Sequence, residues 1–195
     1  MKIYLIRHGK TKGNLEKRYV GRTNEGLCRQ TIEEYRKRPM PKADRIYASP
    51  MKRCVQTAQI FYPKQYIHLV EEFRECDFGD FEYKNYQELK ENADYQRFID
   101  TNGEWGFPGG EQTKDFKERC QRAFYEVVLH CKTIETVAFV VHGGTIMSIM
   151  EKFARPCKDY YDWQIGNGEG YVAEAVWEKN QTLILKNVEK IMLRT

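Results

Sequence analysis

Short apolar runs alternate with amphipathic stretches along the 195-residue chain. Ile3-Tyr4-Leu5-Ile6, with a glycine close behind it, predicts a buried parallel strand over residues 2–6. Residues 30–38 have helical spacing that Pro39 and Pro41 stop. Ile46-Tyr47-Ala48 predicts a second strand. Ser49-Pro50 then opens a helix to about Tyr62, with serine as N-cap and proline in the first turn. Ile67–Val70 predicts a third strand, and an acidic, aromatic stretch runs from it through Phe81. Tyr86 to Ile99 reads as a helix, Asn102 to Gly110 as a glycine-rich loop, and Glu111 to His130 as a long amphipathic helix. Val137–Val141 predicts a strand and Thr145–Phe153 a helix. Tyr171–Trp177 and Leu183–Val188, joined through Glu178–Thr182, predict a β-hairpin.

Strands alternating with helices imply an α/β protein, a three-layer α/β/α sandwich around a mostly parallel sheet. No repeat or linker divides the chain, so residues 1–195 are expected to form one domain. No run is long enough to cross a membrane, and Met1-Lys2 leads into a strand without a signal-peptide pattern. Six scattered cysteines lack zinc-knuckle or redox spacing, which suggests reduced thiols and a cytoplasmic setting. A net charge of +4 with interleaved acids argues against nucleic acid as a partner.

Candidate chemistry concentrates where two strands end. Arg7-His8-Gly9 follows the first apolar run, and His142-Gly143-Gly144 follows Val137–Val141. In α/β proteins ligands bind at strand C-termini, so two histidines and an arginine there suggest one anion site built from distant segments.

Five segments occur in order: Arg7-His8-Gly9-Lys10-Thr11 with Asn14; Ser49-Pro50 with Arg53 and Gln56-Thr57-Ala58; Glu75 with Asp77-Phe78-Gly79; Pro108-Gly109-Gly110-Glu111; and His142-Gly143-Gly144. Together they resemble the histidine phosphatase superfamily, the phosphoglycerate-mutase-like proteins, over residues 1 to about 150. The length and Glu75-Cys76-Asp77-Phe78-Gly79 look most like its α-ribazole phosphatase and broad-specificity phosphatase branches.

The resemblance implies roles. His8 would be the nucleophile, with Gly9 letting the backbone approach phosphoryl oxygens. Arg7 and Arg53 would clamp the phosphoryl group, since a guanidinium fork matches its oxygens. His142 would bind the same group as a cation, with the Gly143 amide adding a donor. Glu75 is the candidate general acid, although Glu82 and Asp77 lie within a few residues. Asn14 would hydrogen-bond phosphate, or else simply form a turn. His68, His130, Lys52 and Lys64 read as structural or surface residues. No metal and no cofactor is expected.

The chain departs from the family's pattern in places. Lys10 stands where an acidic or amide residue is usual, Tyr83 where glycine is common, and Gln112 where serine is common; residues 23–31 match poorly. The superfamily includes mutases and non-catalytic binders as well as phosphatases. A mutase carries a longer insertion rich in basic residues, whereas residues 76–107, the expected cap-like insertion, hold only Lys84, Lys90 and Arg97. Aromatics there could wall a pocket for a ring-bearing leaving group, with most of them packing the cap. Hydrolysis of a small phosphate ester, α-ribazole phosphate being one candidate, is the favoured expectation; oligomeric state is left open.

Overall fold

A computed structural model describes residues 1–38 and 40–191. Six strands form one sheet: β1 (Lys2–Arg7), β2 (Arg45–Ala48), β3 (Ile67–Leu69), β4 (Thr136–Val141), β5 (Gly170–Trp177) and β6 (Leu183–Ile191). Their order is β3-β2-β4-β1-β5-β6. The first four strands run parallel, while β5 and β6 add an antiparallel hairpin to one edge. Helices are α1 (Lys12–Leu15), α2 (Arg29–Tyr35), α3 (Lys52–Phe61), α4 (Tyr86–Leu89), α5 (Ala93–Asp100), α6 (Thr113–His130) and α7 (Gly143–Phe153).

The period-2 alternation of a strand divides the core into two layers. Ile3, Leu5, Val137, Phe139 and Val141 pack with Phe124 and Val128 of α6 and Ile146 and Ile149 of α7. Tyr4, Ile6, Ala138 and Val140 point the other way, onto Tyr35 of α2 and Cys54, Ala58 and Phe61 of α3. Each fully buried large side chain contributes roughly 1.5–3 kcal/mol of burial free energy. A third cluster joins Phe81, Leu89, Tyr95, Phe98 and Phe107 to Phe116 and Cys120 of α6. It holds residues 76–107 over one end of the sandwich.

Local chemistry moved several boundaries. Helix α2 stops at Tyr35, and residues 37–38 instead make tighter bonds, Lys37 N–H to Glu34 and Arg38 N–H to Tyr35. Pro39, expected to help stop it, lies outside the described residues. The expected helix over Tyr86–Ile99 is two helices, because Asn92 caps the second by accepting the Tyr95 N–H at 2.9 Å. Ser49 does not cap α3; Met51 occupies that position without a side-chain bond. Helix α6 starts at Thr113, since Glu111 is engaged elsewhere. Tyr83 adopts φ +60°, the left-handed conformation that explains the family's glycine there. Its ring under the Arg18 guanidinium and its hydroxyl on Glu25 offset that strain.

Candidate active site

Parallel pairing sets Arg7 opposite Val141, so the next residues, His8 and His142, leave the sheet side by side. Their ring centroids are 5.1 Å apart, edge to face at 69°. Nδ1 of His8 lies 2.7 Å from the Gly9 carbonyl oxygen. A carbonyl only accepts, so Nδ1 holds the proton and Nε2 keeps its lone pair. Burial, then the charges of Arg53 and Arg7, hold the His8 pKa well below its ordinary value. At neutral pH the ring is neutral with a fixed tautomer, a state in which Nε2 can act as a nucleophile.

Gly9 has a different purpose from the expected one. A Cβ there would meet Thr31 Cγ2 at 2.6 Å and Tyr35 Cε2 at 2.8 Å, so its bareness lets the end of β1 pack on α2. Its amide donates to the Thr57 hydroxyl at 3.0 Å, which in turn donates to the Arg53 carbonyl.

His142 is fully buried behind His8, with Nε2 2.8 Å from Ser49 Oγ and the Cys54 thiol 3.5 Å away. Burial, Arg53, His8 and Arg7 push its pKa well down. The cationic His142 expected from the sequence is therefore disfavoured, and only an anion brought between the guanidiniums would reverse that field.

The two arginines are placed unequally. Arg7 lines the cavity in front of His8, donating through Nη1 to the Ile165 carbonyl, and its Nε is buried without a partner. Arg53 is fully buried and stays off the cavity wall. Its terminal nitrogens donate to the carbonyls of Thr23 at 2.8 Å, Val20 at 3.1 Å and Gly21 at 2.9 Å, which leaves Nε without a partner and Nη1 with one N–H to spare. The expected fork on a phosphoryl group is thus taken up by backbone. Arg53 can act on an anion at His8 through its charge, which reaches the His8 ring.

Glu75 lines the cavity, and its carboxyl accepts from the Cys76 amide at 3.1 Å and the Gly144 amide at 3.4 Å. Burial raises its pKa against those amides and the Arg53 and Arg7 charges. Its rivals are occupied. Glu82 accepts the Gly21 and Thr23 amides, and Asp77 accepts the Gly79 amide and pairs with Arg22 at 3.5 Å. Neither lines the main cavity.

Asn14 combines both of its readings. It lines the cavity and caps the α1 turn, where its Oδ1 accepts from the Thr11 amide and from Asn167 Nδ2. Gly143 begins α7 at the cavity wall, against the Arg7 guanidinium. Lys10, Lys52 and Lys64 are exposed and away from the cavity, as is His130; His68 stacks on Tyr47.

The cavity has a volume of about 690 Å³. Phe78, Phe98, Phe107, Phe116 and Tyr160 supply much of its wall, and its cations are Arg7, Lys17 and Arg18. Arg18 is committed to Glu16 and Glu88, each at 2.6 Å. Sequence reasoning missed Tyr160 and Asn167, which come from an irregular segment without periodicity or motif. It quoted Ser49 and Thr57 but did not find the bond of Ser49 to His142 or those of Thr57 to Gly9 and Arg53. Among the described residues, no group of three or more His, Cys, Asp or Glu side chains converges to hold a metal ion.

A profile described as the Histidine phosphatase superfamily (branch 1) matches residues 3–188. The chain belongs to this superfamily. "Phosphoglycerate mutase-like protein 4" of Arabidopsis thaliana is 31% identical over 166 residues, covering 79% of this chain and 71% of that protein. "Adenosylcobalamin/alpha-ribazole phosphatase" of Escherichia coli is 24% identical over 184 residues, 86% of this chain and 87% of that one. The fold matches the crystal structure of the alpha-ribazole phosphatase from Shigella flexneri, with TM-score 0.80, 20% identity and coverage of 100% and 96%. As in the sequence reading, this histidine phosphatase has an α/β sandwich with a mixed, mainly parallel sheet. Among the described residues, no helix is long and apolar enough to cross a membrane.

Proposed function

We propose that this histidine phosphatase hydrolyses a small phosphate monoester through a phosphohistidine on His8. The observation that carries the reading is the Nδ1–Gly9 hydrogen bond, which leaves the Nε2 lone pair on a neutral ring beside Arg7. Nε2 attacks phosphorus while Glu75 gives its proton to the departing alkoxide. Water then attacks the phosphohistidine and returns a proton to Glu75. Negative charge on the non-bridging oxygens meets the unpartnered Nε of Arg7, the charge of the buried Arg53, the α7 N-terminus and the Asn14 amide. His142 takes the proton of an incoming phosphate monoanion and so turns cationic beside the dianion that remains.

The aromatic wall fits a ring-bearing or apolar leaving group, so α-ribazole phosphate belongs in the test set. A mutase needs a clamp for a second anionic group, and of the cavity's cations Arg18 is already paired. Residues 1–195 act as one domain in this reading, with residues 76–107 as its cap. The six thiols, all free, suit the cytoplasm we infer for it.

A panel of phosphate esters with released phosphate as the readout tests the activity. Rapid acid-free quenching with a labelled ester should leave base-stable, acid-labile phosphate on His8. Label on serine, cysteine or aspartate would sink the mechanism. Vanadate, which mimics five-coordinate phosphorus, should inhibit.

A further inference from the structure

The Pro108-Gly109-Gly110-Glu111 motif takes no part in the chemistry above, yet its last residue holds a two-point ion pair. Glu111 Oε1 accepts from Arg119 Nε at 2.6 Å, and Oε2 accepts from Nη2 at 2.8 Å. Arg119 lies on α6 and has three N–H groups left. Nη1 donates to the Glu72 carbonyl and, at 2.8 Å, to that of Arg74; Nη2 donates to the Glu75 carbonyl at 3.2 Å. All five donors are used, and three of them end on the segment that carries Glu75.

The backbone of the motif is joined to the residues on the other side of Glu75. The Glu111 amide donates to the Asp77 carbonyl at 2.9 Å, and the Asp80 amide to that of Pro108 at 2.8 Å. Gly79, at φ +51°, makes this approach possible, since a Cβ there would meet the Pro108 carbonyl oxygen at 2.1 Å. Glu75 is thus bracketed before and after by one motif and one arginine. Both partners of the ion pair are about one-fifth exposed, so solvent screening keeps its net stabilisation modest. A pair that contributes little stability while organising three carbonyls beside a functional carboxyl suits a positioning role.

We propose that Glu111 and Arg119 are positioning residues for the leaving-group acid: their fork fixes the backbone of residues 72–75 so that the Glu75 carboxyl stays against the Gly144 amide, facing the cavity. The proposal rests on the reading of Glu75 as that acid. Around the carboxyl stand Arg7 from β1, Arg53 and Cys54 from α3, Cys120 from α6, neighbouring Cys76, and Tyr160 from the turn Tyr160–Trp163. Two of them also face the fork itself: the Cys120 thiol accepts from Arg119 Nη1 at 3.7 Å, and the Cys76 thiol lies in the field of Glu111 and Arg119. A Glu75 that swings out of its dry seat loses the desolvation that keeps it protonated.

The test compares kcat/KM for an alkyl phosphate and a nitrophenyl phosphate across pH in the wild type, Glu111→Gln, Arg119→Lys, the double variant and Glu75→Gln. The alkyl to nitrophenyl ratio should fall about tenfold in each fork variant, because only the alkoxide needs its proton from a well-placed acid. The alkaline limb of the alkyl-ester profile should move to lower pH. The double variant should lose no more than the worse single one, as expected for a unit. Equal losses on both esters with an unmoved limb would show a merely structural pair and overturn the proposal. Should Glu111→Gln fail to fold, by circular dichroism and vanadate binding, Arg119→Lys alone decides between these outcomes. If Glu75→Gln shifts the ratio and the fork variants do not, positioning alone is refuted. If Glu75→Gln keeps the wild-type ratio, the acid is misassigned and this proposal falls with it.

Discussion

The floor and the wall of the cavity are built by different means. The floor lies at the C-terminal ends of β1, β2 and β4, where register alone sets His8 beside His142 and delivers Ser49 to the latter. Apart from Phe116 of α6, the wall comes mainly from residues 72–112 and 160–167, rich in turns and loops, with positive φ at Tyr83, Asn102, Gly103, Gly106 and Gly109. A strand end needs only its neighbours' hydrogen bonds to place a side chain. An irregular segment needs glycines, caps and ion pairs, such as the Arg119 fork, to do the same. In the proposed reaction the chemistry would rest on sheet geometry, and the choice of leaving group on specific stitching.

The comparison breaks first at the floor. His8→Ala should abolish turnover and the trapped phosphoenzyme, since no other side chain can form the covalent bond. Residual activity above background would move the nucleophile elsewhere. Glu75, where floor and wall meet, comes next. Glu75→Gln should lower kcat/KM for an alkyl ester by ~10²-fold or more and far less for a nitrophenyl ester. Its carboxyl pKa is raised by burial, and the protonated form is the active one, so wild-type activity should fall as pH rises through that value. The variant should lack this alkaline limb; the same limb in Glu75→Gln would place the acid on another residue.

Arg53→Ala should reduce kcat/KM by about 10²-fold. It should also cost at least ~2 kcal/mol of stability, because two buried carbonyls and one half-buried one lose their donor. Thermal and kinetic measurements on one preparation separate the loss of stability from the loss of catalysis. The histidine pair makes a smaller, pH-dependent contribution. Both rings have folded pKa values depressed below the unfolded value of about 6.5, so the unfolded chain binds protons that the folded one refuses. Stability from this source is present above about pH 6.5 and is lost as pH falls towards the folded values. The acid slope of Tm should be shallower in His8→Gln, and an unchanged slope would assign it to carboxylates. The smallest effect belongs to the wall. Gln112 begins α6 without a side-chain cap, so Gln112→Ser should stabilise by about 0.5–1 kcal/mol with activity unchanged.

The sequence by itself determined a good part of this. Brief apolar runs, each followed by a break, located the parallel strands and hence the layers, because strand periodicity is a local property. The motifs found the floor for the same reason: Arg7, His8, His142 and Gly143 are adjacent to strand ends in the chain itself. Only tertiary structure decided the rest. Arg53 lies where the resemblance places it along the chain, yet its fork is claimed by carbonyls of residues 20–23. Gly9 and Ser49 turned out to serve packing on α2 and the His142 hydrogen bond. Glu75 faces the cavity while Glu82 and Asp77 do not, each of the latter accepting backbone amides away from it, Glu82 from a segment some sixty residues distant. Asn167 and Tyr160 reached the site on a segment with no local signal. Hydrogen bonds between distant segments depend on where the folded chain brings each donor and acceptor, and no periodicity in the sequence records that.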